Sequence, residues 1–140
     1  MPFEFREKTI QQLKQNFSER ARENKNGFAD FDDFLAWYNA QEKICHCCKL
    51  AERESQEIVM TGILTSNRFP QNGVIGRGQS RGVWLEVDRL KLKEKYSREN
   101  CVMCYYFCNN DKSDVFERED YFKFRQNRIK FLKDKLRNAN

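Results

Sequence analysis

Asp88 closes a short run in which Val83, Leu85 and Val87 alternate with Trp84, Glu86 and Asp88, and Asn109 follows later, directly after Cys108. A carboxylate at a strand end and an amide oxygen at the opening of a helix can converge as oxygen ligands on one hard divalent cation. Two protein ligands leave several coordination positions for water and for a phosphate oxygen, as Mg²⁺ prefers. The chemistry this pair suits is metal-assisted hydrolysis of a phosphodiester.

A second chemistry resides in the cysteines. The chain has six, and Cys45-x-x-Cys48 has the spacing of a zinc half-site. A second pair from the segment after the returning strand can complete a tetrahedral thiolate site, either as Cys101-x-x-Cys104 or as Cys104-x-x-x-Cys108. The start, MPFEFREK, lacks the apolar stretch of a secretory signal, and no run approaches a membrane span. A reducing cytoplasm is the expected location, and there paired spacings favour metal ligation over disulfides.

These residues need a scaffold. A length of 140 residues is one domain's worth. The 26 Lys and Arg outnumber the 21 Asp and Glu, a surplus of +5 that permits polyanion binding without requiring it. Twelve Phe, five Tyr and two Trp are too many for a chain that never packs. Ile10, Leu13, Phe17 and Ala21 recur at helical intervals and predict a first helix from Glu4 to about Lys25. Asn26-Gly27 breaks it, and Asp30 or Asp32 can cap a second helix carrying Phe34, Leu35, Trp37 and Tyr38. Leu50 to Ile58 predicts a short helix leading into an apolar stretch. Residues 65 to 82, with Pro70, four glycines and Arg68, Arg77 and Arg81, read as a basic, mobile loop. Beyond the Val83 to Asp88 strand, Leu90 to Arg98 reads as a loop and Cys101 to Cys104 as the returning strand. A helix starts near Tyr105, and a long basic helix is expected over Glu117 to Arg137, with Phe122, Ile129, Leu132 and Leu136 inward.

The order Glu-Val-Asp-Arg at 86–89, Asn100, Cys108-Asn109 and Lys112 resembles the signature of the HNH, or ββα-metal, nucleases. Within that family the likeness is to PacI-like restriction endonucleases. It extends over FLAWY at 34–38 followed by Cys-x-x-Cys, Val87-Asp88-Arg89, Tyr96-Ser97 ahead of Asn100, and Cys-Asn-x-x-Lys-Ser. The resemblance implies an α+β fold with a ββα-metal, treble-clef-like core, a zinc knuckle and flanking helices. The implied arrangement is one unit over 1–140: N-terminal helices in 1–40, the zinc-stabilised core in 45–116 and the basic helix in 117–137.

The implied activity is double-strand DNA cleavage by a homodimer, with no membrane partner. By position, Asp88 and Asn109 would hold Mg²⁺ or Mn²⁺, Asn100 would fasten the loop between the strands, and Lys112 would stabilise the unit or touch phosphate. The family pattern favours Cys45, Cys48, Cys104 and Cys108 for a structural Zn²⁺. Most HNH nucleases place a general-base His after the metal-ligand Asp, whereas this chain has Arg89, which cannot lose a proton at working pH. Arg89 could clamp phosphate instead, as the Arg of the PacI-like branch permits. Tyr96, Tyr105, Glu86, His46 and a metal-bound hydroxide are then the candidate bases, with Tyr96 favoured by the resemblance.

Arg68, Arg77 and Arg81 of the loop and Arg125 and Arg128 of the last helix are the expected DNA contacts. A type II restriction enzyme is the leading expectation. A homing or phage-type nicking enzyme, and a zinc-stabilised DNA-binding module without catalysis, are the alternatives.

Overall fold

Thr9 opens the first helix. Its hydroxyl accepts the Gln12 N–H at 3.2 Å while the Gln12 side chain accepts the Thr9 N–H at 2.8 Å, a reciprocal cap that starts α1 at Ile10–Arg22. The helix therefore begins later than the periodicity from Glu4 suggests. The preceding residues carry no regular structure, and Gln56 and Trp84 claim the Arg6 backbone. Gln56 Oε1 accepts the Arg6 N–H at 2.8 Å, while Gln56 Nε2 and Trp84 Nε1 both donate to the Arg6 carbonyl at 2.9 Å. The computed structural model describes residues 3–106, 108–109 and 126–139.

Asp30 caps α2, Phe31–Ala40, by accepting the Asp33 N–H at 2.8 Å. Phe34 and Trp37 of α2 pack with Phe28 and with Phe17 of α1 at ring separations of 5.3–6.0 Å, so the FLAWY segment is core. The third helix, α3, spans Glu52–Met60 and runs on through Val59 and Met60. Its inner face carries buried Glu52, Ser55 and Gln56 beside Ile58 and Val59. Those polar groups bind the approach to the sheet: Glu52 Oε1 accepts the Leu85 N–H at 3.0 Å, and Gln56 Nε2 donates to the Val83 carbonyl at 3.1 Å. This capture explains why pairing starts late. Strand β1 is Glu86–Arg89, while Val83 and Leu85 are buried ahead of it without strand partners.

Strand β2, Cys101–Cys104, returns antiparallel to β1, with Glu86 opposite Cys104 and Asp88 opposite Val102. Residues 65–82 are irregular, as expected, yet tied down. Small turns close at Gln71–Val74 and Gly76–Gln79, and Phe69 is buried edge-on to Tyr106. Tyr106, Cys108 and Asn109 are helical, with the Asn109 N–H bonded to the Tyr105 carbonyl at 2.9 Å. The last described helix, α4, is Gln126–Asn138, where Leu132 and Leu136 are buried. The expected start of that helix at Glu117, together with Phe122, Lys112 and Arg125, lies outside the described residues. Among the described residues no helix is long and apolar enough to cross a membrane.

Candidate functional site

The cysteine knuckle is built by backbone bonds. The Cys45 N–H donates to the Leu50 carbonyl at 2.8 Å and Lys49 returns to the Cys45 carbonyl at 3.0 Å, with Lys49 in the left-handed region at φ 65°. The His46 N–H donates to the Met103 carbonyl at 2.8 Å, which pins the knuckle to β2. The Sγ atoms of Cys45, Cys48 and Cys108, all buried, lie within 4.8 Å of one another. Cys104 sits beside Cys45 and Cys108, outside that tight set of three, and Cys47 approaches Cys108 from the knuckle.

The donor set suits a soft divalent ion. Cys45 Sγ accepts the Tyr105 N–H at 3.1 Å and the Cys48 N–H at 3.4 Å, the kind of support a thiolate receives. Neighbouring thiols Cys104, Cys108 and Cys48, donating to Cys45, pull its pKa far down. Burial, by contrast, raises that of Cys104 well above its ordinary value. Three thiols so close together, with Cys104 beside them and Cys45 favoured as the anion, form a centre able to hold a metal.

Asp88 lies on β1 and is 6% exposed, on the same face of the strand as Glu86. Asn109 comes to that face from the helical turn after β2. Its Nδ2 donates to Glu86 Oε1 at 2.8 Å, and Arg81 Nη1 donates to the other carboxylate oxygen at 3.1 Å. This bond fixes the amide's orientation, and among the described residues Asn109 Oδ1 accepts no hydrogen bond. An oriented amide oxygen on the strand face that carries a buried carboxylate fits an oxygen-ligated cation. Glu86, which the sequence reading weighs only as a base, here orients Asn109.

Asn100, 4% exposed, fastens the loop between the strands. Its Nδ2 donates to the carbonyls of Lys91, Glu94 and Lys95 at 3.0–3.2 Å and its Oδ1 accepts the Lys91 N–H at 2.8 Å. Arg89 does not point freely outward: its guanidinium stands 5.0 Å from the Tyr96 ring centroid and Nη1 donates to the Glu94 carbonyl at 3.4 Å. Arg20 of α1 lies over the same ring at 4.8 Å. The Tyr96 backbone is clamped as well, donating to the Lys25 carbonyl at 2.9 Å and accepting from the Gly27 N–H at 2.6 Å.

Two other candidate bases stand elsewhere. Tyr105 is fully buried behind the cysteines, and burial raises its pKa. His46 lies on the knuckle turn. Arg68, Arg77 and Arg81 are exposed on the 65–82 loop; Arg128 lies on α4.

A cleft of about 400 Å³ opens beside Asn109 and Glu86, and its other wall is formed by Gln12, Asn16 and Arg20 of α1 with Lys8 from the segment just before the helix. Neither Lys8 nor Arg20 is among the DNA contacts expected from the sequence. For Arg20 the signal available was spacing: Gln12, Asn16 and Arg20 recur at every fourth position and share one helical face.

A two-stranded antiparallel hairpin, a helical turn carrying the last cysteine, and a knuckle pinned to β2 make this an α+β fold with a ββα-metal, treble-clef-like core and flanking helices. Neither a protein-family model nor a curated protein matches the chain. Among solved structures it matches that of PacI, described as a rare-cutting HNH restriction endonuclease. The TM-score is 0.61 and the identity 24%, covering 84% of this chain and 75% of that one. The PacI-like HNH likeness is thus established at the level of the fold.

Proposed function

We propose that the protein is an HNH-type DNA endonuclease in which Asp88 and Asn109 hold one Mg²⁺ or Mn²⁺ at the scissile phosphate. The observation that carries this reading is the Asn109 amide, held by Glu86 on the Asp88 face of β1 with its Oδ1 left as an acceptor. A bound cation would offset charge on the transition state and on the leaving 3′ oxygen.

The chain's own groups divide the remaining work. Tyr96 takes the proton from the attacking water, its ring held under the guanidiniums of Arg20 and Arg89. Asn100 sets the loop that carries Tyr96. Lys112, by its place in the family pattern, touches phosphate or steadies the turn. Zinc at Cys45, Cys48 and Cys108 with Cys104 as fourth ligand staples the knuckle to the hairpin, and free buried thiols suit a reducing cytoplasm. Arg68, Arg77, Arg81, Arg125 and Arg128 contact the duplex.

The finer reading is a type II restriction enzyme, folded as one unit over 1–140 and acting as a homodimer on a palindromic site. PacI, a restriction endonuclease of the same fold, supports it. Incubation with a long DNA of known sequence and Mg²⁺, followed by sequencing of the ends, tests the proposal. Symmetric double-strand cuts lost in Asp88→Asn support a dimeric restriction enzyme, and nicks support a nicking enzyme. Binding without cleavage in Mg²⁺ and Mn²⁺ would make the protein a DNA-binding module.

A further inference from the structure

The wall of the cleft formed by α1 and the residue before its cap carries two cations with no carboxylate in direct contact among the described residues. Glu86 is engaged by Arg81 at 3.1 Å. Lys8 and Arg20 remain, and among the described residues neither is ion-paired with a carboxylate. Both are only partly exposed, and burial pulls both pKa values down; for Lys8 the charge of Arg20 lowers it further, against the smaller opposing pulls of Glu86, Glu52 and Glu19. Arg20 cannot relax away, because its guanidinium is stacked 4.8 Å from the Tyr96 ring centroid and 5.5 Å from that of Phe34. Two cations held in one cleft against their mutual repulsion, with the amides of Gln12 and Asn16 between them, make an anion site.

We propose that Lys8 and Arg20 form a second phosphate seat, which takes a neighbouring backbone phosphate of the DNA strand whose scissile phosphate lies at Asp88 and Asn109. The inference rests on the nuclease reading and deepens it. A phosphodiester fits the geometry: it brings one negative charge and two acceptor oxygens to a cleft that opens directly beside Asn109. Gln12 and Asn16 can each donate an amide hydrogen bond to the same backbone. The seat would hold the strand from the α1 side while the 65–82 loop holds it from the other.

The test is the salt dependence of binding to a fluorescent DNA duplex with divalent cations omitted. Each phosphate contact contributes about 0.9 to the slope of log K against log salt. Lys8 makes no structural bond among the described residues, so Lys8→Gln should lower the slope by about 0.9 with an unchanged circular dichroism spectrum. Arg20→Lys keeps the charge and should retain the wild-type slope, while losing turnover through misplacement of Tyr96. Because Arg20→Gln removes a packed side chain, Lys8→Gln decides. If the wild type binds DNA and Lys8→Gln shows the same slope, the seat is refuted.

If the wild type binds no DNA, the nuclease reading fails first, and inorganic phosphate becomes the probe. Chemical-shift changes at Lys8 and Arg20 that vanish in Lys8→Gln would keep an anion seat for a free phosphate. Their absence in the wild type would overturn the seat as well.

Discussion

Replacing Gly27 by Ala should dislodge Tyr96, and the geometry sets both the sign and the size of the effect. Gly27 is outside the left-handed region, so alanine can adopt its backbone, and on chain entropy alone the change would stabilise the protein by about 0.4–1 kcal/mol. Packing opposes this. A Cβ built at Gly27 stands 2.7 Å from the Tyr96 carbonyl oxygen and 3.3 Å from the Cβ atoms of Lys95 and Ser97. Relaxing the first contact to the closest ordinary C···O approach, about 3.3 Å, requires a retreat of about 0.6 Å.

That retreat lengthens the Gly27–Tyr96 hydrogen bond, now 2.6 Å, to the edge of the useful range. It also pulls on the bond from the Tyr96 N–H to the Lys25 carbonyl at 2.9 Å. Overpacking costs about 1–3 kcal/mol and a weakened backbone bond about 1, so a net destabilisation of about 1–3 kcal/mol remains after the entropic gain. Urea unfolding measures it. Gly62→Ala is the control: Gly62 has φ +77° but open space around it, so it should lose stability to strain alone and leave DNA cleavage intact. In Gly27→Ala, turnover should fall further than the folded fraction does. Gly27→Ala as stable as the wild type, or fully active, would refute the placement of Tyr96 through this contact.

Three further outcomes follow from other bonds. Asn100→Ala removes two amide hydrogens shared among three carbonyls and one accepted bond from a buried amide and should cost about 2–4 kcal/mol in urea unfolding; a loss below about 1 would contradict its role as the loop's fastener. Burial raises the pKa of Glu52 above its ordinary 4.5, so its stabilising contribution is full below 4.5 and lost as pH rises through the folded value. Glu52→Gln retains an acceptor for the Leu85 N–H, and its thermal midpoint relative to the wild type should improve from pH 4 to pH 7; a difference flat across that range would sink the reasoning. Chelation of zinc should unfold the protein, because a structural zinc site contributes about 10–16 kcal/mol, as much as an ordinary domain's entire net stability of about 5–15. Active protein without zinc by elemental analysis would exclude the metal from the knuckle.

Local pattern revealed those parts of the fold whose causes are local. Cys101–Cys104 is a strand, Asp30 caps α2, and Cys45 to Cys48 form a turn, each following from a few adjacent residues. The errors share a different origin. The first helix starts at Ile10 because Gln56 and Trp84, 50 and 78 residues away from Arg6, take its backbone groups. The first strand starts at Glu86 because Glu52 and Gln56 of α3 bind the residues before it. Side chains that bond a distant backbone leave no periodicity to read.

The candidate site divides the same way. Asp88, Asn100 and Asn109 stand at points where spacing along the hairpin gives their place. The part Glu86 plays depends on the return of Asn109 over β1, and that of Arg20 on the packing of α1 against the loop bearing Tyr96. Both are partners of residues that the pattern picks out, rather than members of it. In this chain the ββα unit carries the recognisable residues, and α1 supplies further charge beside them. The Arg89 guanidinium faces the Tyr96 ring from β1 as that of Arg20 faces it from α1. Under the proposed mechanism a base carried by the loop rather than by β1 has to be held in place, and the two guanidiniums, one from β1 and one from α1, are what hold the Tyr96 ring.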